Sequence, residues 1–153
     1  MKNSIENHQK ELEQIFQQEE VVLAYLFGSV VRGTAGPESD IDIAVLFSKE
    51  QPDVCFEQRI SLASKLEKGA DLHNVEIICL YEAPPLLKHR AVLSGQLLYA
   101  TTPQIKRDME LRALQEHEDF SYHLAVANKA LRKHIFQNTL GKAPLPVLNP
   151  HKF

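Results

Sequence analysis

Two short apolar runs, VVLAYLF at Val21–Phe27 and IDIAVLF within Asp40–Phe47, give the chain its centre. Each has strand length and neither repeats at helical spacing, so both are read as strands. A third run, VEIICL at Val75–Leu80, and a short fourth, Gln96–Ala100, read the same way. Between them the apolar positions fall at helical steps. Residues 3–19 form a polar first helix, capped by Asn3 or Ser4, with a sparse stripe of Ile5, Leu12, Ile15 and Phe16. Pro52–Lys68 carries Val54, Ile60, Leu62, Ala63 and Leu66 and stops at Gly69. Ala83–Gly95 starts on Pro84-Pro85 and presents Leu86, Leu87, Ala91, Val92 and Leu93. Its Lys88, His89 and Arg90 read as surface residues.

Residues 103–138 then run without proline or glycine after Pro103, with Met109, Ala113, Phe120, Leu124, Ala127, Leu131 and Ile135 at steps mainly of three and four. Leu111, Leu114, Tyr122, Ala125 and Val126 widen the apolar surface beyond one face. At 1.5 Å per residue such a helix exceeds about 50 Å, more than a small core can cover. It therefore either folds back along the domain, offers a partner interface, or does both. His117, His123 and His134 lack the spacing of a zinc pair and read as solvated. The tail after Gly141, with three prolines, is extended or docks on a partner through its Leu and Val side chains. The organisation expected is a core over 1–101, the long helix over 102–138 and a tail over 139–153.

At 153 residues the chain is large enough for one real core. The net charge of −3 offers no positive field for nucleic acid, so no direct nucleic-acid contact is expected. Cys55 and Cys79 stand far apart and outside any CxxC pair, as small buried hydrophobes of a reduced cytosol do. No apolar run approaches the roughly 20 residues of a membrane span, so a cytoplasmic protein without membrane contact is expected.

The chemistry lies where the first two strands meet their connection. Gly28-Ser29 closes the first strand, Ser29–Arg32 forms a short helix, and Gly33–Ser39 is a loop with two glycines and a proline. Asp40 and Asp42 open the second strand. Residues two apart share a strand face, so these carboxylates point the same way with backbones about 6.6 Å apart. At 4 Å and an effective dielectric of 20 their repulsion is about 4 kcal/mol, which calls for a cation between them. Oxygen-only ligands favour a hard divalent ion, most simply Mg²⁺. Gly28-Ser29 supplies free backbone N–H groups and a hydroxyl for an anion, helped by the helix dipole. Metal carboxylates beside a phosphate cradle point to a metal-bound nucleoside triphosphate. Arg32 either reaches a phosphate or stays in solvent as a turn residue.

Gly28-Ser29, ten residues, then Asp40-x-Asp42 matches the GS-x10-DxD signature of the polymerase β-like nucleotidyltransferases. The GSVVRG turn and the later APPLLKHRAVLSGQLLYA segment resemble the minimal nucleotidyltransferase branch, over roughly residues 10 to 100. The resemblance implies an α/β (α+β) fold with a small mixed sheet flanked by helices, followed here by the long C-terminal helix. It also implies a third metal carboxylate on the strand beside the DxD strand, usually Asp; Glu76 holds the matching place, one methylene longer. The other reading of Glu76 is an outward-facing residue on an edge strand.

On this reading Asp40, Asp42 and Glu76 are the catalytic and metal-binding carboxylates, with two Mg²⁺ ions expected. Gly28, Ser29, Arg32, Asp40 and Asp42 hold ATP, the co-substrate. Many members of the branch are antitoxins paired with HEPN toxins, which implies a hetero-oligomer with a HEPN ribonuclease. Three functions follow. The first is transfer of AMP from Mg-ATP to a toxin hydroxyl, most simply that of a tyrosine. The second is a non-catalytic antitoxin that neutralises by binding. The third, least supported because the chain has little length for a substrate domain, is modification of a small molecule.

Overall fold

A computed structural model describes residues 5, 7–36, 39–49, 52–70 and 72–136. Helix α1 (Gln9–Gln18) leads into β1 (Val21–Phe27); the one-turn α2 (Ser29–Arg32) and a loop lead to β2 (Ile41–Phe47). Helix α3 (Pro52–Gly69), β3 (Val75–Cys79), α4 (Pro85–Ser94), β4 (Gln96–Ala100) and α5 (Pro103–Phe136) follow. The four strands form one mixed sheet in the order β3-β2-β1-β4. β1 runs antiparallel to β2 and β4, while β2 and β3 are parallel. The helices and strands expected from the sequence are present among the described residues, with two boundaries moved. The first helix, expected over residues 3–19, runs over Gln9–Gln18 after a turn at His8. Asp40 lies just outside the second strand, which starts at Ile41, whose N–H donates to the Asn74 carbonyl at 2.8 Å. The expected caps Asn3 and Ser4, the helix end at 137–138 and the tail 139–153 lie outside the described residues. So do the side chains of Val54, Cys55 and His134.

Strand alternation sorts the core into two layers. Ile41, Ile43, Val45 and Phe47 join Leu12, Phe16, Leu62 and Leu66 on the face covered by α1 and α3. Ala44 and Leu46, with Leu23, Tyr25 and Phe27, take the other face under Ala91 and Val92 of α4 and Met109 and Ala113 of α5. Nearly continuous burial along β1 and β2 follows from this double cover. Cys79 is free and buried, as expected. Gly95 ends α4 where a Cβ would meet the Ala91 carbonyl at 2.1 Å and the Leu26 carbonyl at 2.8 Å. Only glycine lets the helix end this close to β1.

The long helix packs on the core only at its start. Its first turns pack on the core through Met109 and Ala113, both buried. From Phe120 onward Tyr122, Leu124, Val126, Leu131 and Ile135 are exposed. Two helix-face readings need correction. Lys88 is not a surface residue: its side chain is 3% exposed, and its ammonium donates to Glu116 of α5 at 2.5 Å. The stem packs between α4 and α5 while the charge is neutralised, which makes the burial tolerable. His117 is half-buried rather than solvated, stacked on His89 with centroids 4.0 Å apart. Burial, and the neighbouring His117, lower the pKa of His89.

The Lys88–Glu116 pair gives an asymmetric expectation. Glu116 also accepts from Arg112 at 2.8 Å, so it keeps a partner without Lys88, whereas among the described residues Lys88 keeps none without Glu116. Glu116→Ala should cost about 3 kcal/mol, lowering Tm by roughly 6–12 °C in a thermal melt. Lys88→Met should stay within about 1 kcal/mol of wild type.

Candidate active site

The turn after β1 holds the site together. Gly28 has φ 76° and ψ −147°, a backbone that residues with a Cβ rarely adopt. A Cβ there would lie 1.9 Å from Oδ2 of Asp42, so the glycine backbone rests directly against that carboxylate. α2 follows at once: the Arg32 N–H donates to the Gly28 carbonyl at 3.3 Å, and the Thr34 N–H to the Ser29 carbonyl at 3.0 Å. Gly33, φ 71°, closes the helix in the left-handed conformation.

Pairing register fixes what faces Asp42. It lies opposite Phe27 of β1 and opposite Glu76 of β3. Residues paired across a sheet share a face, so the Asp42 and Glu76 side chains leave the same side of the sheet as Tyr25 and Phe27. Burial raises the pKa of the Asp42 carboxyl, and the charges of Glu76 and Asp40 raise it further, against a lowering by Arg32. Asp40 and Glu76 are exposed. The expected clash of carboxylates is therefore present, concentrated on the one that is partly buried.

A cleft of about 680 Å³ opens above Asp42. Phe27, Gly28, Val31, Arg32 and Asp42 line it from the sheet and turn, and Leu87, Arg90 and Ser94 line it from α4. Among the sequence-derived candidates, Gly28, Arg32 and Asp42 thus share the cleft. Ser29 and Asp40 adjoin lining residues without lining it. Glu76 lines a different groove of about 180 Å³ along the edge strand, with Phe56, Arg59, Ile60 and Ala63 of α3. Arg59 closes part of that edge by donating to the Ile77 carbonyl at 3.0 Å. Arg90, read from the sequence as a plain surface residue, is exposed but stands in the cleft wall. The signal that could have found it is the 87-90-94 spacing, which puts Leu87, Arg90 and Ser94 on one helix face.

Among the described residues no three His, Cys, Asp or Glu side chains gather closely enough to hold a metal ion by themselves. The donor set still suits a hard divalent cation. Mg²⁺ is ordinarily held by one or two carboxylates with substrate phosphates and water completing the shell. Asp42, with the charges of Asp40 and Glu76 nearby and a cleft of small-molecule size in front of it, has that character.

A model of the polymerase beta nucleotidyltransferase family matches residues 10–104. The chain belongs to the polymerase beta nucleotidyltransferase family. It is 34% identical over 121 residues to the protein adenylyltransferase MntA of Shewanella oneidensis, covering 79% of this chain and 81% of that protein. A solved toxin–antitoxin structure with AMP-PNP superposes with TM-score 0.62 at 26% identity, covering 84% of this chain and 98% of that one. A mutant MntA toxin–antitoxin complex superposes with TM-score 0.57 at 27% identity, covering 80% of this chain and 93% of that one. No described helix is long and apolar enough to cross a membrane.

The raised pKa of Asp42 makes a stability statement. An acid whose folded pKa lies above its unfolded value of about 4 stabilises the fold when protonated, and that contribution is lost as pH rises through the folded pKa. Without ligand at neutral pH, Asp42→Asn should therefore melt no lower than wild type, with the gap closing toward pH 4. Thermal melts across that range check the sign.

Proposed function

We propose that this chain is an antitoxin that acts as a protein adenylyltransferase, moving AMP from Mg-ATP to a hydroxyl of a HEPN toxin partner. One observation carries the reading: Gly28 and Asp42 of an intact Gly28-Ser29 and Asp40-x-Asp42 signature line a cleft of about 680 Å³ in a chain 34% identical to a protein adenylyltransferase. The AMP-PNP of the similar toxin–antitoxin structure supports ATP as the nucleotide.

In this reading the N–H groups of the Gly28-Ser29 turn and the Ser29 hydroxyl hold the β- and γ-phosphates. Arg32 neutralises part of their charge from the same wall. Asp42 and Asp40 would hold Mg²⁺, and Glu76 would serve a second ion. The metal, when bound, withdraws charge from the phosphates and favours in-line displacement at the α-phosphorus. The acceptor oxygen bonds to the α-phosphorus as the bond to the bridging oxygen breaks, and pyrophosphate leaves. The hydroxyl proton passes to Glu76, whose place on the exposed edge strand faces an incoming protein. Exposed Tyr122, Leu124, Val126, Leu131 and Ile135 on α5 supply a second, apolar contact for that partner. Such a protein works in the cytoplasm, where ATP and a ribonuclease target meet.

A second reading, an antitoxin that neutralises by binding alone, draws on one observation. Glu76 replaces the usual Asp, is exposed, and no described cluster of three carboxylates stands ready for metal. The two separate cleanly. Incubation with the HEPN partner, ATP and Mg²⁺ should add the mass of one or more AMP units to the toxin, and the modified toxin should stay inactive after the antitoxin is removed. Glu76→Gln should slow that transfer by roughly 100-fold or more while Mg-ATP still binds. An unchanged toxin mass, with inhibition only at stoichiometric ratio, would establish the binding reading instead.

A further inference from the structure

We infer that Arg90 is the second arm of a triphosphate clamp, gripping the terminal phosphates of the nucleotide from the α4 wall opposite Gly28 and Arg32. The inference rests on the nucleotidyltransferase reading of the cleft and adds to it a residue outside the signature. Three observations carry it.

The first is position. Ala91 and Val92 bury one side of α4 against β1, which fixes the helix's rotation about its axis. Leu87, Arg90 and Ser94, three and four residues apart, then form the cleft wall. The close approach at Gly95 pins the end of that helix to the Leu26 carbonyl, one residue from Phe27 in the cleft floor. Arg90 is therefore held by a rigid element across from the phosphate turn.

The second is that its charge is unspent. Several cations packed nearer the core have partners: Lys88 and Arg112 on Glu116, Lys106 on Glu110, Arg59 on the Ile77 carbonyl. Among the described residues Arg90 has no hydrogen bond or ion pair. Its guanidinium is therefore available to an anion that enters the cleft.

The third is charge balance. Among the described residues that line the cleft, Asp42 is the one carboxylate, against the guanidinium groups of Arg32 and Arg90. A nucleoside triphosphate carries about four negative charges, more than one divalent ion and Arg32 offset, so a second guanidinium on the α4 wall suits its terminal phosphates. A guanidinium binds phosphate through a planar fork of two N–H donors, an interaction worth more than a neutral hydrogen bond. Arg90 is an exposed guanidinium on the wall of a cleft whose volume lies in the range of small-molecule sites. Its placement lets the site tell a triphosphate from a monophosphate, and hold pyrophosphate until release.

Calorimetric titration of Mg-ATP, AMP and Mg-pyrophosphate into wild type, Arg90→Met and Arg90→Lys tests this. Arg90 is exposed, so Arg90→Met should fold with an unchanged Tm. Its affinity for Mg-ATP and for Mg-pyrophosphate should fall roughly 10- to 100-fold, while that for AMP stays within about twofold. Arg90→Lys should recover part of the loss, keeping the charge without the fork. Equal losses for AMP and ATP would mean that Arg90 stacks on the base, and unchanged ATP affinity that it touches nothing; either overturns the inference. Asp42→Asn, run in parallel, separates the two claims. If it loses Mg-ATP binding while Arg90→Met retains it, the nucleotidyltransferase reading stands and the clamp falls. If wild type itself takes up no Mg-ATP, that reading fails and the clamp with it.

Discussion

The backbone of Gly28 lies against the carboxylate of Asp42, and the architecture around the site follows from that contact. It needs a residue without a Cβ, because one would stand 1.9 Å from the carboxylate oxygen. It needs the antiparallel pairing of β1 and β2 that sets Phe27 opposite Asp42. It also needs a sharp exit from β1, which the positive φ of Gly28 and the one-turn helix α2 provide. The result is a free-amide turn and a partly buried carboxylate within touching distance. Neither is comfortable alone, and both suit a metal-bound phosphate.

The rest of the fold carries the cost of that arrangement. Both faces of the sheet are covered, so β1 and β2 are held firmly enough to keep like charges together near one end. Asp42 sits on the face under α4 and α5, where burial and two neighbouring carboxylates raise its pKa. The buried Lys88–Glu116 pair ties α4 to α5 and steadies the helix that forms the cleft's far wall. Local strain is concentrated at this end of the sheet, and stability is supplied elsewhere.

Much of this was legible in the sequence because it depends on spacing along the chain. Gly28-Ser29 and Asp40-x-Asp42 are separated by a fixed loop between two adjacent strands, so their neighbourhood could be read off directly. The helices were legible from apolar periodicity, as was the excess apolar surface of α5. What escaped depends on how elements dock. Lys88 and Arg90 lie two residues apart on α4, yet one is buried on α5 and the other faces the cleft. Only the rotation of α4 against β1 decides that, and no local signal carries it. Asp40 fell outside its strand because the parallel pairing with β3 begins at Ile41 and Val75. His117 was read as solvated because its stacking partner, His89, comes from another helix.

The central claim is that the Gly28–Asp42 contact makes the nucleotide site, and Gly28→Ala tests it without touching a charged group. Calorimetric titration of Mg-ATP into wild type and this variant, with the fold checked by circular dichroism, is the direct measurement. The account predicts a folded variant that has lost Mg-ATP binding, because the new methyl displaces the Asp42 carboxylate and strains the turn. A folded Gly28→Ala protein that binds Mg-ATP as tightly as wild type would contradict it.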